Sequence, residues 1–331
     1  MRNFSFHKPA TVSEALVLLS RRDGAKLLGG GTNLVDLMRE NIEQPTAVID
    51  VTGLPLGAVT EGPRGEIVVG ATTRNSALAG HRLIRERFPV LSEALLAGAS
   101  GQIRNMATVG GNIMQRTRCS YFYDEAARCN KRSPGAGCDA LGGFNRMHAI
   151  LGASPSCIAT HPSDMCVALA ALDAVVHVTG PDGARVIPLI DFHRLPGEHP
   201  EQETRLRPDE LITAVELPPL GAARRSSYRK VRDRASYAFA LVSVAAALEV
   251  EDGLVRTLRL ALGGVAPKPW RVAAAEATVV GAAATPETFQ RVADATLAGA
   301  VGHAHNGFKI ELARRLIVHS LAELARTEDA R

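Results

Sequence analysis

Apolar and polar residues follow strand-like and helix-like patterns in turn along the first hundred residues. In TVSEALVLLSRR the apolar residues recur at helical spacing, and Thr11 with Glu14 fits a capping box. Short apolar runs flanked by Gly, Pro or polar residues are typical of strands. In chain order the pattern predicts a helix at 11–22, strands at 46–51 and 66–71, and helices at 76–86 and 91–99. This alternation indicates an α/β arrangement in the N-terminal part.

The second half of the chain has a different order of elements. The pattern predicts a helix at 163–174 capped by Ser163, strands at 174–180, 184–189 and 211–218, antiparallel strands at 226–233, 239–251 and 255–265, and helices at 269–280, 286–300 and 307–326. Asp252-Gly253 is a hairpin turn between two of these strands. A composition shift near 220–226 predicts domains at 1–222 and 223–331, and the fold class is α+β.

The stretch from about 115 to 158 lacks any sustained period and is rich in Gly, Arg, Asn and Ser. Loops of more than about 12–15 residues without their own secondary structure are uncommon in compact domains. Four cysteines lie in this stretch, at Cys119, Cys129, Cys138 and Cys157, and a fifth, Cys166, follows in an apolar helix. We therefore expect an insert that is held by something other than a hydrophobic core.

Composition narrows the function classes. Among 331 residues, 46% are hydrophobic and 22% are charged, with a net charge of +4 and no clustering of basic residues. A nucleic-acid-binding protein would need a basic surface, and a membrane helix would need about 18 unbroken apolar residues, so we expect neither. The first residues lack the apolar run of a signal peptide, so we expect no export signal on this chain. Cysteines confined to one region indicate metal binding or redox chemistry rather than a disulfide framework.

Two glycine turns are candidate ligand sites. Gly29-Gly30-Gly31-Thr32-Asn33 follows an apolar strand and precedes a helix, so its N–H groups suit the phosphates of a dinucleotide as well as a simple turn. Thr108-Val109-Gly110-Gly111-Asn112 is a second polar turn, which alone favours a tight turn without a ligand. Asp164, which opens the next helix, is either a first-turn carboxylate or an acceptor for sugar hydroxyls.

In combination, these motifs resemble the FAD subunits of the xanthine dehydrogenase and carbon monoxide dehydrogenase (molybdenum hydroxylase) family. The resemblance covers nearly the whole chain and implies a two-part FAD-binding domain of the PCMH type, followed by a carbon monoxide dehydrogenase flavoprotein-type C-terminal domain. It also implies the FAD-binding residues, which are Leu28, Gly29, Gly30, Gly31, Thr32, Asn33, Leu34, Thr108, Gly110, Gly111, Asn112, Asp164, Leu211, Ile212 and Lys230. Lys230 would lie near the flavin ring, although by position alone it is an ordinary strand lysine.

The insert resembles that of the flavin subunit of periplasmic aldehyde oxidoreductases, which carries an additional [4Fe-4S] cluster. By that resemblance Cys119, Cys129, Cys138 and Cys157 are the ligands, and Cys166 is a buried free cysteine. Spacing alone supports a cluster only weakly, because zinc accepts the same four thiolates. His148 and His161 are weaker metal candidates, and structural roles are the simpler interpretation for both.

The resemblance implies an electron-transfer subunit that meets no organic substrate itself. A large molybdenum-cofactor subunit and a small [2Fe-2S] subunit would be its partners, and FAD would deliver electrons to an external acceptor. The complex would be cytoplasmic, or periplasmic after export on a partner's twin-arginine signal. Alternatives are a flavin subunit like that of 4-hydroxybenzoyl-CoA reductase, a self-sufficient flavin oxidase or dehydrogenase, and an assembly subunit whose loop is held by zinc.

Overall fold

Three β-sheets organise residues 1–326, which are the residues that the computed structural model describes. The first sheet is parallel, with strand order β1-β3-β2, and two helices accompany it. Its elements are β1 (Ser5–His7), α1 (Val12–Ser20), β2 (Ala25–Leu28), α2 (Leu34–Arg39) and β3 (Ala47–Asp50). The predicted cap of α1 is confirmed, since Thr11 Oγ1 accepts from the Glu14 amide at 3.2 Å.

The second sheet is antiparallel and has the order β4-β5-β8-β6-β7. Its strands are β4 (Val59–Glu61), β5 (Ile67–Gly70), β6 (Val175–Gly180), β7 (Gly183–Pro188) and β8 (Leu211–Leu217). The helices of this region are α3 (Asn75–Gly80), α4 (Arg82–Arg87), α5 (Pro89–Ala97), α6 (Gly101–Met106), α7 (Val109–Ile113), α8 (Ser120–Tyr123), α9 (Asp164–Ala171) and α10 (Leu189–Phe192). All eight residues of α9 are buried, as expected of a helix that is apolar on every side.

The third sheet, of order β11-β10-β9, is antiparallel and belongs to the C-terminal part. The predicted hairpin is confirmed, because Asp252 and Gly253 both have positive φ, at 52° and 73°. A short 3₁₀ helix at Gly221–Arg224 precedes β9 (Ser226–Val231), β10 (Val242–Glu251), β11 (Leu254–Gly263), α11 (Ala273–Ala277), α12 (Pro286–Thr296) and α13 (Phe308–Arg326). The last five residues of the predicted 223–331 domain lie outside the described part of the chain.

The insert has little regular structure, as its composition indicated. Between residues 115 and 158 the structure has the four-residue helix α8 and isolated bridges, of which one pairs Cys129 with Cys138. The end of the insert is anchored in the C-terminal part of the chain. The amides of Ile150 and Leu151 both donate to the Val265 carbonyl, at 2.9 and 3.0 Å, and both side chains are buried in the C-terminal core.

Two predicted helices differ from the structure. The helix expected at 76–86 is divided into α3 and α4, because His81 takes extended angles, with φ −66° and ψ 130°. The helix expected at 269–280 is reduced to α11. Trp270 instead pairs with Leu262 of β11 through two backbone hydrogen bonds of 2.8 and 3.0 Å, which draws the first residues into the sheet.

No helix within residues 1–326 is long and apolar enough to cross a membrane.

The C-terminal core offers a direct test of the packing. Phe289 of α12 is 1% exposed in the C-terminal core, whereas Val280 is 54% exposed. Phe289→Ala leaves a cavity, so we expect it to reduce the free energy of unfolding by about 3–5 kcal/mol. Val280→Ala, the control, should change it by less than about 0.5 kcal/mol. Thermal or urea unfolding of both variants measures this, and equal effects would contradict the assigned core.

Candidate functional site

The first glycine turn lies between β2 and α2 and packs directly against the end of α6. A Cβ atom on Gly30 would lie 1.8 Å from the carbonyl oxygen of Met106, and one on Gly29 would lie 2.6 Å from Thr108 Oγ1. Gly31 has a φ of +76°, which side chains rarely tolerate. The three glycines are therefore required by two close contacts and one backbone angle.

The second glycine turn forms α7 and is held in place by hydrogen bonds within the protein. Thr108 caps the helix, with its Oγ1 accepting from the Gly111 amide at 3.2 Å. The Gly110 amide donates to the Ala71 carbonyl at 2.8 Å. Both turns are thus held against each other and against the end of β5, and both line one cleft.

The cleft between the turns has a volume of about 810 Å³, which is within the range of ligand pockets. Loop residues 196–208 form much of its opposite wall, together with the start of β8. Eleven of the fifteen expected ligand residues line this cleft, namely Gly29, Gly30, Gly31, Thr32, Asn33, Leu34, Thr108, Gly110, Gly111, Leu211 and Ile212. The stretch at 197–210 is polar and contains proline, so its sequence indicates a surface loop. In the structure much of this loop lines the main cleft.

The other four expected residues lie behind or beside the cleft. Leu28 packs under the first turn, since a Cβ on Gly31 would meet its Cδ1 at 3.7 Å. Asn112 Oδ1 accepts from Ser163 Oγ at 2.6 Å and from Gln115 at 2.8 Å, which ties the second turn to the cap of α9. Asp164 and Lys230 are bonded to each other rather than facing the main cleft.

Asp164 is the centre of a buried polar cluster next to the main cleft. Its carboxylate accepts from Lys230 Nζ at 2.8 Å and from the Tyr228 hydroxyl at 2.5 Å. Lys230 also donates to the Ala97 carbonyl at 3.2 Å. Burial, together with the Asp164 charge, raises the pKa of Tyr228, so this phenol stays a proton donor. Asp164 lines a second cavity of about 300 Å³, which shares Thr117, Thr160 and His161 with the main cleft.

The four insert cysteines line one small cavity between α8 and the end of the insert, which we call the cysteine pocket. None of them is in a disulfide. Burial raises the pKa of Cys119 to about 12 and also raises the pKa of Cys157. His148 Nε2 lies 3.1 Å from Cys119 Sγ. Four thiols that converge on one pocket are a ligand set that a metal ion or cluster would hold as thiolates.

The cysteine pocket and the main cleft share three wall residues, Thr117, Lys131 and Ala159. Cys166 lies apart from the pocket in the first turn of α9, where its amide donates to Ser163 Oγ. Its burial raises its pKa to about 12. The fifth cysteine is therefore a buried thiol of the core, outside the cysteine pocket.

The basic residues of the insert each have a partner inside this chain. Arg116 bridges Glu203 and Glu43, at 2.8 and 2.6 Å, and Lys131 lies 3.4 Å from Glu203. Burial acts to raise the pKa of Glu203, but the charges of Lys131 and Arg116 outweigh it and lower that pKa. These ion pairs fasten the insert to the wall of the main cleft.

Little or nothing in the sequence indicates that two histidines, His161 and His193, lie in the cleft wall. His161 and His193 lie with ring centroids 4.2 Å apart, and their ring nitrogens lie within 4.8 Å of Cys166 Sγ. Burial lowers the pKa of both, that of His193 to about 4, so both rings are neutral. His193 Nε2 donates to the Ile113 carbonyl at 3.0 Å. His193 is distant in sequence from every motif, so sequence reasoning missed it.

Comparison with known proteins relates this geometry to a family. Residues 2–220 match the FAD binding domain in molybdopterin dehydrogenase, and residues 226–324 match the CO dehydrogenase flavoprotein C-terminal domain. The chain is 53% identical over 325 residues to the aldehyde oxidoreductase FAD-binding subunit PaoB of Escherichia coli (strain K12), covering 98% of each chain. It is 27% identical over 279 residues to the glyceraldehyde dehydrogenase medium chain of Sulfolobus acidocaldarius, covering 84% and 81%.

A solved structure agrees with these matches. A chain of carbon monoxide dehydrogenase from Hydrogenophaga pseudoflava superposes with a TM-score of 0.75 and 26% identity, over 97% of this chain and 96% of that chain. The expected α+β architecture, with a PCMH-type domain and a flavoprotein C-terminal domain, is therefore confirmed.

The buried Asp164–Lys230 pair leads to a prediction about the free energy of unfolding. Their side chains are 9% and 4% exposed, so Lys230→Met leaves a buried carboxylate without its cation. We expect the free energy of unfolding to fall by about 3–5 kcal/mol, and the double variant Asp164→Asn/Lys230→Met to recover part of this loss. The control is Arg82→Met, which breaks an exposed pair with Glu86 and should cost at most about 0.5 kcal/mol. Urea unfolding of the three variants measures the difference, and a Lys230→Met loss no larger than the control's would refute the assigned pair.

Proposed function

Because the chain belongs to the FAD-binding subunits of the molybdenum hydroxylase family, we propose that it is the electron-transfer subunit of a molybdenum-dependent aldehyde oxidoreductase. Its partners are a large subunit with the molybdenum cofactor, where the substrate reacts, and a small subunit with [2Fe-2S] clusters. The electrons leave for an external acceptor from this chain. Cofactor loading takes place in the cytoplasm, before any export of the assembled complex.

FAD fits the main cleft by the chemistry of its walls. Both glycine turns line one side, and the N–H groups of the first turn are of a kind suited to bind a diphosphate, whereas those of the second turn donate within the protein. On the other side Leu211 and Ile212 are both 4% exposed and offer an apolar surface to a flat ring system. When bound, FAD supplies chemistry that accepts electrons singly and releases them in pairs. The chain's own residues bind and orient it.

A [4Fe-4S] cluster fits the cysteine pocket better than a zinc ion does. A cluster has a thiolate at each of four corners, whereas thiolates on zinc, at a Zn–S distance of about 2.3 Å, lie only ~3.8 Å apart. Among the described His, Cys, Asp and Glu side chains, the ligand atoms of His161, Cys166 and His193 form a group of three that lie within 4.8 Å of one another. No three of the four insert cysteines form such a group, which favours a cluster over a single ion.

The observation that carries the electron-transfer role is the common wall between the cysteine pocket and the main cleft. Thr117, Lys131 and Ala159 line both, so one layer of residues separates the two sites. Lys131 is fixed in that wall by the Glu203 carboxylate and the Pro200 carbonyl. This common wall supports a cluster that exchanges electrons with FAD as well as holding the insert together.

The metal and flavin content of the assembled complex tests the proposal. We expect FAD and about four irons per FAD in excess of the small subunit's clusters. Cys129→Ser should remove this extra iron but leave FAD bound, whereas the control Cys166→Ser should retain both, because Cys166 lies outside the cysteine pocket. One zinc in place of the iron would refute the cluster, and a folded complex without flavin would refute the function.

The close contact between Gly30 and the Met106 carbonyl predicts that a substitution at Gly30 reduces FAD binding. A methyl group at this position cannot coexist with the Met106 carbonyl, so Gly30→Ala must displace one of the two turns. We expect at least a tenfold loss of bound FAD, with the iron content unchanged. The control is Gly101→Ala, where a Cβ meets nothing within 4 Å. Flavin released from purified complexes is the measurement, and full flavin occupancy in Gly30→Ala would argue against the site.

A further inference from the structure

Lys309 is an unusual lysine at the start of α13. It is 0% exposed, and its Nζ donates to the carbonyls of His148 and Gly264, at 2.7 and 2.5 Å. Within residues 1–326 no carboxylate lies within 4.0 Å of this ammonium group. Burial, and to a lesser degree the Arg146 charge, lowers the pKa of Lys309 to about 7. A negative charge nearby would favour the protonated form of Lys309, and the described side chains within 4.0 Å of its Nζ supply none.

The residue between Lys309 and the cysteine pocket is His148. Its carbonyl accepts from Lys309, and its ring Nε2 lies 3.1 Å from Cys119 Sγ. The other ring nitrogen, Nδ1, is buried without a partner. The tautomer with hydrogen on Nε2 therefore makes a donor to the sulfur, and a Cys119 thiolate accepts it. Lys309, His148 and Cys119 form a connected path from the C-terminal part of the chain to the pocket.

We propose that His148 and Lys309 raise the reduction potential of the cluster in the cysteine pocket, His148 by an N–H···S bond to the Cys119 thiolate and Lys309 by its buried charge. This inference rests on the proposed cluster. Reduction adds one electron, taken from the small subunit's clusters or from dithionite in the laboratory, and no bond is made or broken. The added negative charge is shared with the cysteine sulfurs, so a donor and a cation near them stabilise the reduced state more than the oxidised state.

A thiolate-bound cluster is also the missing anion for Lys309. The lysine lies on α13, while all four cysteines lie in the insert, so the cluster's charge is balanced in part by another region of the chain. The acids near the insert do not serve Lys309, since Glu203 is bonded to Arg116 and Lys131, and Asp139 to Arg128. This arrangement gives the C-terminal part a function in tuning the potential, beyond packing.

The competing explanation is a mechanical one, in which Lys309 only joins two carbonyls and His148 only fills space. That explanation predicts changes in folding or cluster content, but no shift in potential once the cluster is present. A redox titration of the assembled complex, followed by the EPR signal of the reduced cluster, separates the two. The flavin titrated in the same sample is the internal reference, because His148 and Lys309 do not line the main cleft.

We expect His148→Phe and Lys309→Met to lower the midpoint potential of this cluster while its iron stays bound. Each should reduce the equilibrium constant for reduction about tenfold, which for one electron is about 59 mV. His148→Gln keeps an N–H donor and Lys309→Arg keeps the charge, so both should remain closer to the unaltered protein. The matched control is Lys268→Met, since Lys268 is also partly buried and donates to a carbonyl outside the insert, that of Ile190.

The outcomes are distinguishable. Absence of the extra iron from the unaltered complex would refute the proposed cluster itself. An intact cluster whose potential is the same in His148→Phe, Lys309→Met and Lys268→Met would overturn this inference and leave the cluster standing. If Lys309→Met loses its iron, the decision falls to Lys309→Gln, where a lower potential would support the role of the charge and an unchanged potential would overturn it. If His148→Phe loses its iron, the decision falls to pulsed EPR of the unaltered reduced cluster in D₂O. A strongly coupled exchangeable proton supports the N–H···S bond, and its absence overturns the His148 part.

Discussion

The contact between the two glycine turns is the constraint on which the rest of the site depends. Gly30 lies against the Met106 carbonyl at a distance that leaves no room for a side chain, and Gly29 lies against Thr108. The contact brings the turn after β2 of the parallel sheet against the region that follows β5 of the antiparallel sheet. The cleft that both turns line follows from this contact.

Much of the fold could be predicted from sequence because its local signals agree with the final structure. The Thr11 cap, the Asp252-Gly253 hairpin and the helix predicted at 307–326 each depend on short-range pattern. The differences arise where residues of a predicted element pair with a different element. Trp270 lies outside its predicted helix because its backbone pairs with Leu262 of β11, and the pattern within residues 269–280 does not show this pairing.

The residues of the site also fall into those that could be predicted from short-range pattern and those that could not. The glycine turns were predictable because each turn contains its own chemical signal, and the resemblance of their combination to one family placed them together. The wall at 196–208, His193 and the ion pairs of Arg116 with Glu43 and Glu203 were not predictable. Those pairs join residues 73 and 87 positions apart, so they exist only after the fold has formed. Asp164 and Lys230 were predicted as separate ligands, whereas the structure bonds them to each other.

The insert shows how a segment without a core of its own is stabilised by several different means. Ion pairs fasten its first half to the main cleft, through Arg116 and Lys131, and hydrophobic burial fastens Ile150 and Leu151 to the C-terminal core. Between these anchors Arg132 donates to the carbonyls of Tyr121 and Phe122, and four thiols line one pocket, where the proposed cluster would add stabilisation that apolar packing does not supply. Because both anchors belong to other parts of the chain, the cysteine pocket takes its final geometry only when those parts are in place. The dependence runs in one direction, because the ion pairs and buried side chains that anchor the insert do not involve the thiols, so loss of a cysteine ligand leaves the cleft wall and the C-terminal core in place.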